Sequence, residues 1–310
     1  MALVDEPMIG HLRSPMPHVL TLVAPSFDRL QDALPAALEG LAQAGRPAAG
    51  IEVLGEGAAD LVVEGADLAV LRRTVSRALE RQSVDFCVQP AEGRLKRLLV
   101  ADMDSTIIGV ECLDELADYA GLKAEIAAVT ARAMAGEIAF ETALRDRVAL
   151  LAGLELATLE RAYAERVRLN AGAARLVATM TAHGARCVLV SGGFDFFTAR
   201  VAEAAGFASH RANRLIADGQ RLTGQVAEPI LGREAKLAAL AEEAAALGVG
   251  LGETLAVGDG ANDLAMIEAA GLGVAYRAKP VLAAKADARI DHTDLTALLY
   301  FQGIGQEAFA

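Results

Sequence analysis

Two carboxylates one residue apart follow a short apolar run near residue 100. Leu98–Ala101 has the length and composition of a buried strand, and Asp102 and Asp104 come directly after it in the sequence Asp-Met-Asp-Ser-Thr. In open α/β sheets, ligands bind at the carboxyl ends of the strands. One carboxylate at such a position can attack as a nucleophile while the other handles the proton of the leaving group. This pattern favours acyl- or phosphoryl-enzyme chemistry over acids that only end a strand.

A second strand end carries a hydroxyl and two glycines. The apolar run 187–190 leads into Ser191-Gly192-Gly193. A hydroxyl and free backbone N–H groups at a strand end can hold phosphate oxygens, and glycine lets the backbone approach them closely. Ser191 and Gly192 are therefore candidate phosphate-binding residues, although the same tripeptide also fits an ordinary turn.

A lysine and a third strand end complete the set. Lys236 is one of only five lysines in the chain, and its compact ammonium suits a phosphate. The apolar run 255–257 precedes Asp259, Asn262 and Asp263, whose carboxylate and amide oxygens are the ligands that Mg²⁺ requires. Alone, these features also fit a solvated helix face and an Asx-rich turn. Together, the four segments supply a nucleophile, a phosphate cradle, a cation and a metal site.

These residues need a common sheet, and the sequence after residue 93 predicts one. Short apolar runs alternate with helical segments, which is typical of a parallel sheet covered on both faces. The runs lie at 98–101, 187–190, 255–257 and 273–275. The fold class predicted for this part is therefore α/β, with a Rossmann-like parallel sheet.

Two insertions interrupt that alternation. The stretch from about 111 to 170 has apolar residues at helical spacing and no clear strand, so it predicts a helical cap after the first strand. Residues 213–217 and 220–226 flank Asp218-Gly219, which predicts a β-hairpin.

The N-terminal part has a different order of elements. Its pattern predicts a β-α-β-β-α-β sequence, typical of a small α+β ferredoxin-like sandwich. The predicted strands are 19–25, 51–54, 60–63 and 84–88, and the predicted helices are 28–44 and 68–81. We therefore predict a first domain at 1–90 and a second at 91–310.

Composition and charge limit the kind of partner. The formal net charge is −12 with scattered basic residues, which disfavours nucleic acid and anionic membranes. No stretch approaches the roughly 20 apolar residues that span a bilayer. The three cysteines lack metal-binding or CxxC spacing, so reduced thiols and a cytoplasmic location are expected.

The four chemical segments resemble the four motifs of the haloacid dehalogenase-like superfamily. The segments are DMDST, SGG, the lysine at 236 and GDGANDLAM, and the resemblance covers about residues 94–310. It implies that Asp102 attacks phosphorus and that Asp104 is the general acid and base. It also implies Mg²⁺ held by Asp102, the Asp104 backbone carbonyl and Asp259.

The resemblance assigns roles to the remaining motif residues. Ser191, Gly192 and Lys236 would hold the phosphate, while Asn262 and Asp263 would support the metal shell or the lysine.

The cap sequence is similar to that of superfamily members that hydrolyse phosphoserine. The resemblance implies that Glu111 binds the substrate ammonium, that Arg147 binds its carboxylate, and that Met134 and Phe140 form an apolar wall. These charges match a zwitterionic phosphoamino acid, and an arginine fork suits a carboxylate. The implied reaction is hydrolysis of O-phospho-L-serine, the last step of serine biosynthesis. Such enzymes often carry an ACT-like N-terminal domain, and a homodimer through that domain is a hypothesis.

Two other functions stay open at this point. The same core motifs serve a phosphotransferase or a phosphatase for another small phosphorylated metabolite. A non-catalytic amino-acid sensor would use the N-terminal domain instead, although the presence of both Asp102 and Asp104 argues against it.

Overall fold

The computed structural model of the chain describes residues 17–65, 67–134 and 137–310, and the side chain of Met134 lies outside this part. The N-terminal section is a four-stranded sheet with two helices packed on one face. Its elements are β1 (His18–Val23), α1 (Phe27–Gln43), β2 (Ala48–Gly55), β3 (Ala58–Val63), α2 (Leu68–Ala78) and β4 (Asp85–Pro90). The predicted β-α-β-β-α-β order is confirmed.

All strand pairs in this N-terminal sheet are antiparallel, in the order β2-β3-β1-β4. Helix α1 begins after Ser26, whose hydroxyl accepts a hydrogen bond from the N–H of Arg29, and α2 begins after the capping carboxylate of Asp67. Leu30 and Leu41 lie on the buried face of α1 and pack against the sheet. The fold is ferredoxin-like; whether the unit is ACT-like stays a prediction.

The second section is built on six parallel strands in the order β12-β11-β10-β5-β6-β7. These strands are β5 (Leu98–Ala101), β6 (Arg186–Phe194), β7 (Ser209–Asn213), β10 (Thr254–Gly258), β11 (Leu272–Tyr276) and β12 (Ala288–Ile290). The predicted parallel sheet is confirmed, and β5 lies inside it. Crossover connections bring the carboxyl ends of β5, β6 and β10 to the same edge.

Helices cover both faces of this sheet. The helices that follow the cap are α7 (Ala173–Ala182), α8 (Asp195–Ala205), α9 (Arg233–Leu247), α10 (Leu264–Ala269), α11 (Pro280–Ala283) and α12 (Ala297–Phe301). Along β5 the side chains alternate: Leu99 packs with α7, α8 and α12, whereas Leu98 and Val100 pack with α9, α10 and α11. No helix of the described residues is long and apolar enough to cross a membrane.

The predicted helical cap follows β5 and consists of four helices. They are α3 (Cys112–Ala120), α4 (Lys123–Met134), α5 (Phe140–Leu150) and α6 (Leu156–Arg166). The hairpin β8 (Leu215–Asp218) and β9 (Arg221–Val226) joins the same layer. The N–H of Gly153 donates to the carbonyl of Leu222, and the N–H of Leu156 donates to that of Gln220. These hydrogen bonds attach the hairpin to the cap, although the two are separated in sequence by α7, β6, α8 and β7.

The two sections share one sheet, because β4 pairs with β12 through Phe86 and Arg289. The second face of the N-terminal sheet is also covered by the C-terminal helix: Cys87 belongs to the same buried cluster as Leu298 and Phe301. The division at residues 90 and 91 stays a prediction.

Two strands were not predicted, and one was placed imprecisely. β7 reads Ser-His-Arg-Ala-Asn and lies at the sheet edge, so it lacks an apolar run, and β12 has only three residues. Asn213, assigned from sequence to the hairpin, ends β7 instead. Edge strands need little burial, and hydrophobic patterning therefore detects them poorly.

Candidate active site

Asp102 lies at the carboxyl end of β5, where the chain leaves the sheet. Its N–H donates to the carbonyl of Val257 on β10 at 3.0 Å, and its Oδ1 accepts the N–H of Met103 at 2.7 Å. The side chain is almost fully buried. These two hydrogen bonds hold Asp102, the predicted nucleophile, in place at the carboxyl end of β5.

Lys236, from the first turn of α9, lies between two carboxylates. Its Nζ is 2.7 Å from Asp102 Oδ1 and 2.5 Å from Asp263 Oδ1, and all three side chains are buried. Burial lowers the pKa of Lys236, but the two carboxylates outweigh this effect and raise it above its usual value. Burial and Asp263 raise the pKa of Asp102, and the ammonium opposes that shift. Lys236 therefore stays charged beside the nucleophile.

Three carboxylates at this edge could share a cation. Oxygens of Asp102, Asp259 and Asp263 lie within 4.8 Å of one another. Asp263 is oriented by the N–H groups of Asp259 and Gly260, which donate to its Oδ2 at 3.1 and 3.0 Å. Burial and Asp263 raise the pKa of Asp259 to about 6, a shift that a divalent cation would reverse. Two ammonium groups face these three carboxylates: Lys236 is buried among them, and the exposed Lys279 lies 3.9 Å from Asp259. The three hard oxygen donors still leave a net negative site that fits Mg²⁺.

Asp104 lies in the tight turn Met103–Ile107, with both carboxylate oxygens engaged. Oδ1 accepts the N–H of Cys112 at 3.0 Å, and Oδ2 accepts the hydroxyl of Ser191 at 3.2 Å. Burial and the nearby Glu111 carboxylate raise the pKa of Asp104 to about 6, while Cys112 and Ser191 oppose the shift. A carboxyl with such a pKa can carry a proton near neutral pH and give it up again.

The Ser191-Gly192-Gly193 segment forms the last part of β6 and faces Asp104. The N–H of Gly193 donates to Ser191 Oγ at 2.8 Å. A Cβ on Gly193 would lie 2.9 Å from Asp104 Oδ2, so only glycine fits there. The carbonyl of Gly192 accepts a hydrogen bond at 2.9 Å from the buried amide of Asn213. Asn213 was not predicted as a site residue, since the sequence pattern places it in the hairpin rather than at the end of β7.

The cap places its predicted substrate-binding residues over this edge. A Cβ on Gly192 would lie 3.4 Å from the Phe140 ring at the start of α5. Glu111 directly precedes α3, and its carboxylate accepts the hydroxyl of Ser105 at 2.7 Å. Arg147 is half-buried on α5, and burial lowers the pKa of its guanidinium while Asp114 and Glu111 oppose this. Among the described residues it has no ion pair within 4 Å.

Two predicted residues stand apart. Asn262 is exposed in the turn 261–263, where its side chain lies against Gly260. The Met134 side chain lies outside the described part of the chain. The other ten predicted residues come from three strand ends, the start of α9 and the cap, and together they surround one edge of the sheet. Their individual roles stay predictions.

Comparison with known proteins agrees with this architecture. A family model described as haloacid dehalogenase-like hydrolase matches residues 99–268. A phosphoserine phosphatase of Archaeoglobus fulgidus is 43% identical over 75% of this chain and 68% of its own length. One of Polaromonas sp. is 45% identical over 66% of this chain and 88% of its own.

A solved structure extends the likeness to the N-terminal section. The unliganded form of a probable phosphoserine phosphatase from Vibrio cholerae is 31% identical, with a TM-score of 0.74. The match covers 94% of this chain and 88% of that one. From motifs, fold and matched residues alike, this chain belongs to the haloacid dehalogenase-like hydrolases.

Proposed function

We propose that this protein hydrolyses O-phospho-L-serine to L-serine and phosphate through an aspartyl-phosphate on Asp102. The observation that carries the proposal is the pairing of two sets of groups at one sheet edge. A nucleophile, a cation and a proton carrier meet there as Asp102, Lys236 and Asp104. An acid and an arginine of the cap, Glu111 and Arg147, lie over them, and curated relatives carry the name phosphoserine phosphatase.

The first half-reaction forms a bond between a carboxylate oxygen of Asp102 and phosphorus. The bond between phosphorus and the serine oxygen breaks, and the Asp104 carboxyl gives its proton to that oxygen. Ser191, the Gly192 backbone and the Lys236 ammonium would hold the phosphate oxygens during transfer. Buried, preformed donors of this kind stabilise the charge of the transferring group.

The second half-reaction returns the enzyme to its starting state. Asp104, now a carboxylate, takes a proton from water as the water oxygen attacks phosphorus. The bond between phosphorus and the Asp102 oxygen breaks, which releases phosphate. Cap residues such as Phe140, packed against the Gly192 segment, would keep bulk water out of the first step.

Mg²⁺ is the cofactor that these donors suit best. Asp102, Asp259 and the backbone carbonyl of Asp104 would hold it, with Asn262 and Asp263 in support. When bound, the ion offsets negative charge on the phosphoryl group.

The cap supplies the selectivity in this proposal. Glu111 would bind the ammonium of phosphoserine and Arg147 its carboxylate, while Phe140 and Met134 would form an apolar wall. An arginine that is half-buried and without an ion pair among the described residues is suited to an incoming carboxylate.

Two broader proposals accompany this one. A cytoplasmic location is in keeping with Cys87, Cys112 and Cys187, which are all free and buried.

Pairing of two chains through the N-terminal section would use the edge strand β2, where Ile51 and Val53 are exposed.

The experiment is a phosphate-release assay with Mg²⁺ on four substrates. Phosphoserine is compared with O-phosphoethanolamine, which lacks the carboxylate, with 3-phosphooxypropanoate, which lacks the ammonium, and with p-nitrophenyl phosphate, which lacks both. We expect kcat/KM to be highest for phosphoserine and to fall when either charge is removed. Equal kcat/KM values on all four would refute the substrate assignment.

A further inference from the structure

Ser105 has a backbone conformation that is rare outside glycine. Its φ is 56° and its ψ is 2°, in the left-handed region. In the described residues the only other non-glycine residue with positive φ is Arg277. Such a conformation persists when its surroundings enforce it, and it is found preferentially at functional sites.

Backbone hydrogen bonds enforce this conformation. The N–H of Ser105 donates to the carbonyl of Val110 at 3.3 Å, and the N–H of Ile108 donates to that of Met103 at 3.0 Å. The chain therefore folds back on itself after the catalytic aspartates. This return brings residue 105 beside residue 111, the last residue before α3.

The Ser105 hydroxyl contacts one oxygen of the Glu111 carboxylate. It donates to Oε1 at 2.7 Å, while Oε2 has no hydrogen-bond or ion-pair partner among the described residues. Glu111 itself is exposed, and its side chain makes no capping bond to α3. A long exposed side chain held at one oxygen keeps the other free for a cation.

We infer that Ser105 is a positioning residue for substrate selectivity: its hydroxyl holds the Glu111 carboxylate in the orientation that receives the substrate ammonium. This inference rests on the proposed function, in which Glu111 binds that ammonium. Fixing a flexible carboxylate before binding lowers the entropy lost when substrate binds. In this left-handed backbone conformation the Ser105 hydroxyl reaches the Glu111 carboxylate.

Two variants separate the hydroxyl from the backbone. Ser105→Gly removes the hydroxyl and adopts positive φ without strain, whereas Ser105→Ala removes the hydroxyl and keeps the strain. The substrates are phosphoserine and 3-phosphooxypropanoate, which differ only in the ammonium. Melting temperatures of both variants report the effect on folding.

The expected result is a loss that depends on the ammonium. Ser105→Gly should lower kcat/KM for phosphoserine about ten-fold, mainly through KM, as for a lost hydrogen bond to a charged group. The loss on 3-phosphooxypropanoate should be much smaller. Ser105→Ala should show the same ratio of kcat/KM between the two substrates, with a melting temperature lower than that of Ser105→Gly.

A double-mutant cycle tests whether the effect passes through Glu111. In a Glu111→Ala background, Ser105→Gly should no longer change the ratio between the substrates. Equal losses on both substrates for Ser105→Gly, or an unchanged effect in the Glu111→Ala background, would overturn the inference. If Glu111→Ala itself fails to discriminate between the substrates, the proposed ammonium site is wrong; if it discriminates and Ser105→Gly does not, only the role of Ser105 is wrong.

Discussion

Single residues divide this candidate site into a charged floor at the strand ends and a cap above it. We propose that the floor carries catalysis and the cap selectivity. On the floor, Lys236 is enclosed by Asp102 and Asp263 at hydrogen-bond distance, and none of the three is exposed. Removal of one member of such a group leaves an uncompensated buried charge, so we expect substitution of any of the three to reduce stability as well as activity. The cap residues are more accessible, and their contributions can be measured separately.

Arg147 is the residue whose contribution to substrate selectivity can be separated most clearly from catalysis. If it binds the substrate carboxylate, Arg147→Ala should cost about 2–5 kcal/mol in kcat/KM for phosphoserine, because a desolvated charge loses its partner. The loss should be small for O-phosphoethanolamine, which has no carboxylate.

Arg145 provides the matched control for this prediction. It lies two residues earlier on α5, where it pairs with Glu228 in an exposed ion pair at 2.7 Å. Arg145→Ala should change neither substrate appreciably, since exposed pairs contribute little. Equal losses on both substrates for Arg147→Ala would make Arg147 a structural residue.

The metal is tested by removing it. We expect exhaustive chelation to abolish phosphate release, because the three clustered carboxylates would then repel the phosphate. Mg²⁺ should restore the activity, and Ca²⁺ should inhibit it, since its larger and more flexible coordination suits in-line transfer poorly. Full activity in the chelated enzyme would contradict the role of Asp259.

At the scale of elements, the ends of β5, β6 and β10 and the cap converge on one edge of the sheet. Gly193, near the end of β6, lies so close to Asp104 that a Cβ added to it would be 2.9 Å from the Asp104 carboxylate. Phe140, the first residue of α5, lies 3.4 Å from where a Cβ on the neighbouring Gly192 would be. The cap and the turn after β5 that carries Asp104 thus approach the Ser191-Gly192-Gly193 segment, which we propose binds phosphate, from two sides.

A methyl group at Gly193 should therefore impair catalysis without regard to substrate. Gly193→Ala would place its Cβ 2.9 Å from Asp104 Oδ2 and 3.0 Å from Ser191 Oγ, which forces the proton carrier to move. We expect kcat to fall about 100-fold or more on all four phosphate esters, as for a misplaced catalytic group. Gly250→Ala, where a Cβ meets nothing within 4 Å, should be neutral. A fully active Gly193→Ala variant would show that Asp104 tolerates displacement.

Much of this convergence could be predicted from sequence, for a physical reason. Buried parallel strands such as β5 must be apolar, so Leu98–Ala101 and the acids after it stand out. The contact between Ser105 and Glu111 could not be predicted, because the residue types give no sign that Ser105 adopts a left-handed backbone conformation. The position of Asn213 was equally hidden, since an edge strand of polar residues has no apolar pattern.

At the scale of the whole molecule, the N-terminal section is not connected to the second section by a linker alone. The two sections share one sheet and several direct hydrogen bonds. Arg94 donates to Asp60 Oδ2 at 2.6 Å and to the carbonyl of Phe301 at 3.3 Å. Asp85 accepts the N–H groups of Asp291 and Thr293, each at 2.8 Å. Such contacts were not predictable, because they join residues from 34 to 208 positions apart and carry no local pattern.

A chain beginning at Ala91 should therefore be less stable than the full chain. The truncation would expose Leu298 and Phe301, which are fully buried. It would also remove Asp60, the ion-pair partner of Arg94. Each large apolar side chain contributes about 1.5–3 kcal/mol when buried, so the loss should reach several kcal/mol and lower the melting temperature. An unchanged melting temperature would show that residues 91–310 do not depend on the N-terminal section for their stability.

Light scattering on the full chain tests the pairing of two chains. Pairing through β2 predicts twice the mass of one chain, with a return to a single mass when exposed Val53 is changed to lysine, a charge that blocks edge pairing. A monomeric mass for the full chain would remove the dimer proposal.

The central claim is that Asp102 becomes phosphorylated by phosphoserine. Enzyme mixed with phosphoserine and Mg²⁺ should be quenched in acid within a single turnover, reduced with borohydride and digested for mass spectrometry. Borohydride converts an aspartyl-phosphate to homoserine, so we predict homoserine at position 102 and none at 104. It should be absent when substrate is omitted and in an Asp102→Asn variant that retains its fold. Turnover of phosphoserine without any modification at Asp102, or with the modification at Asp104, would contradict the account.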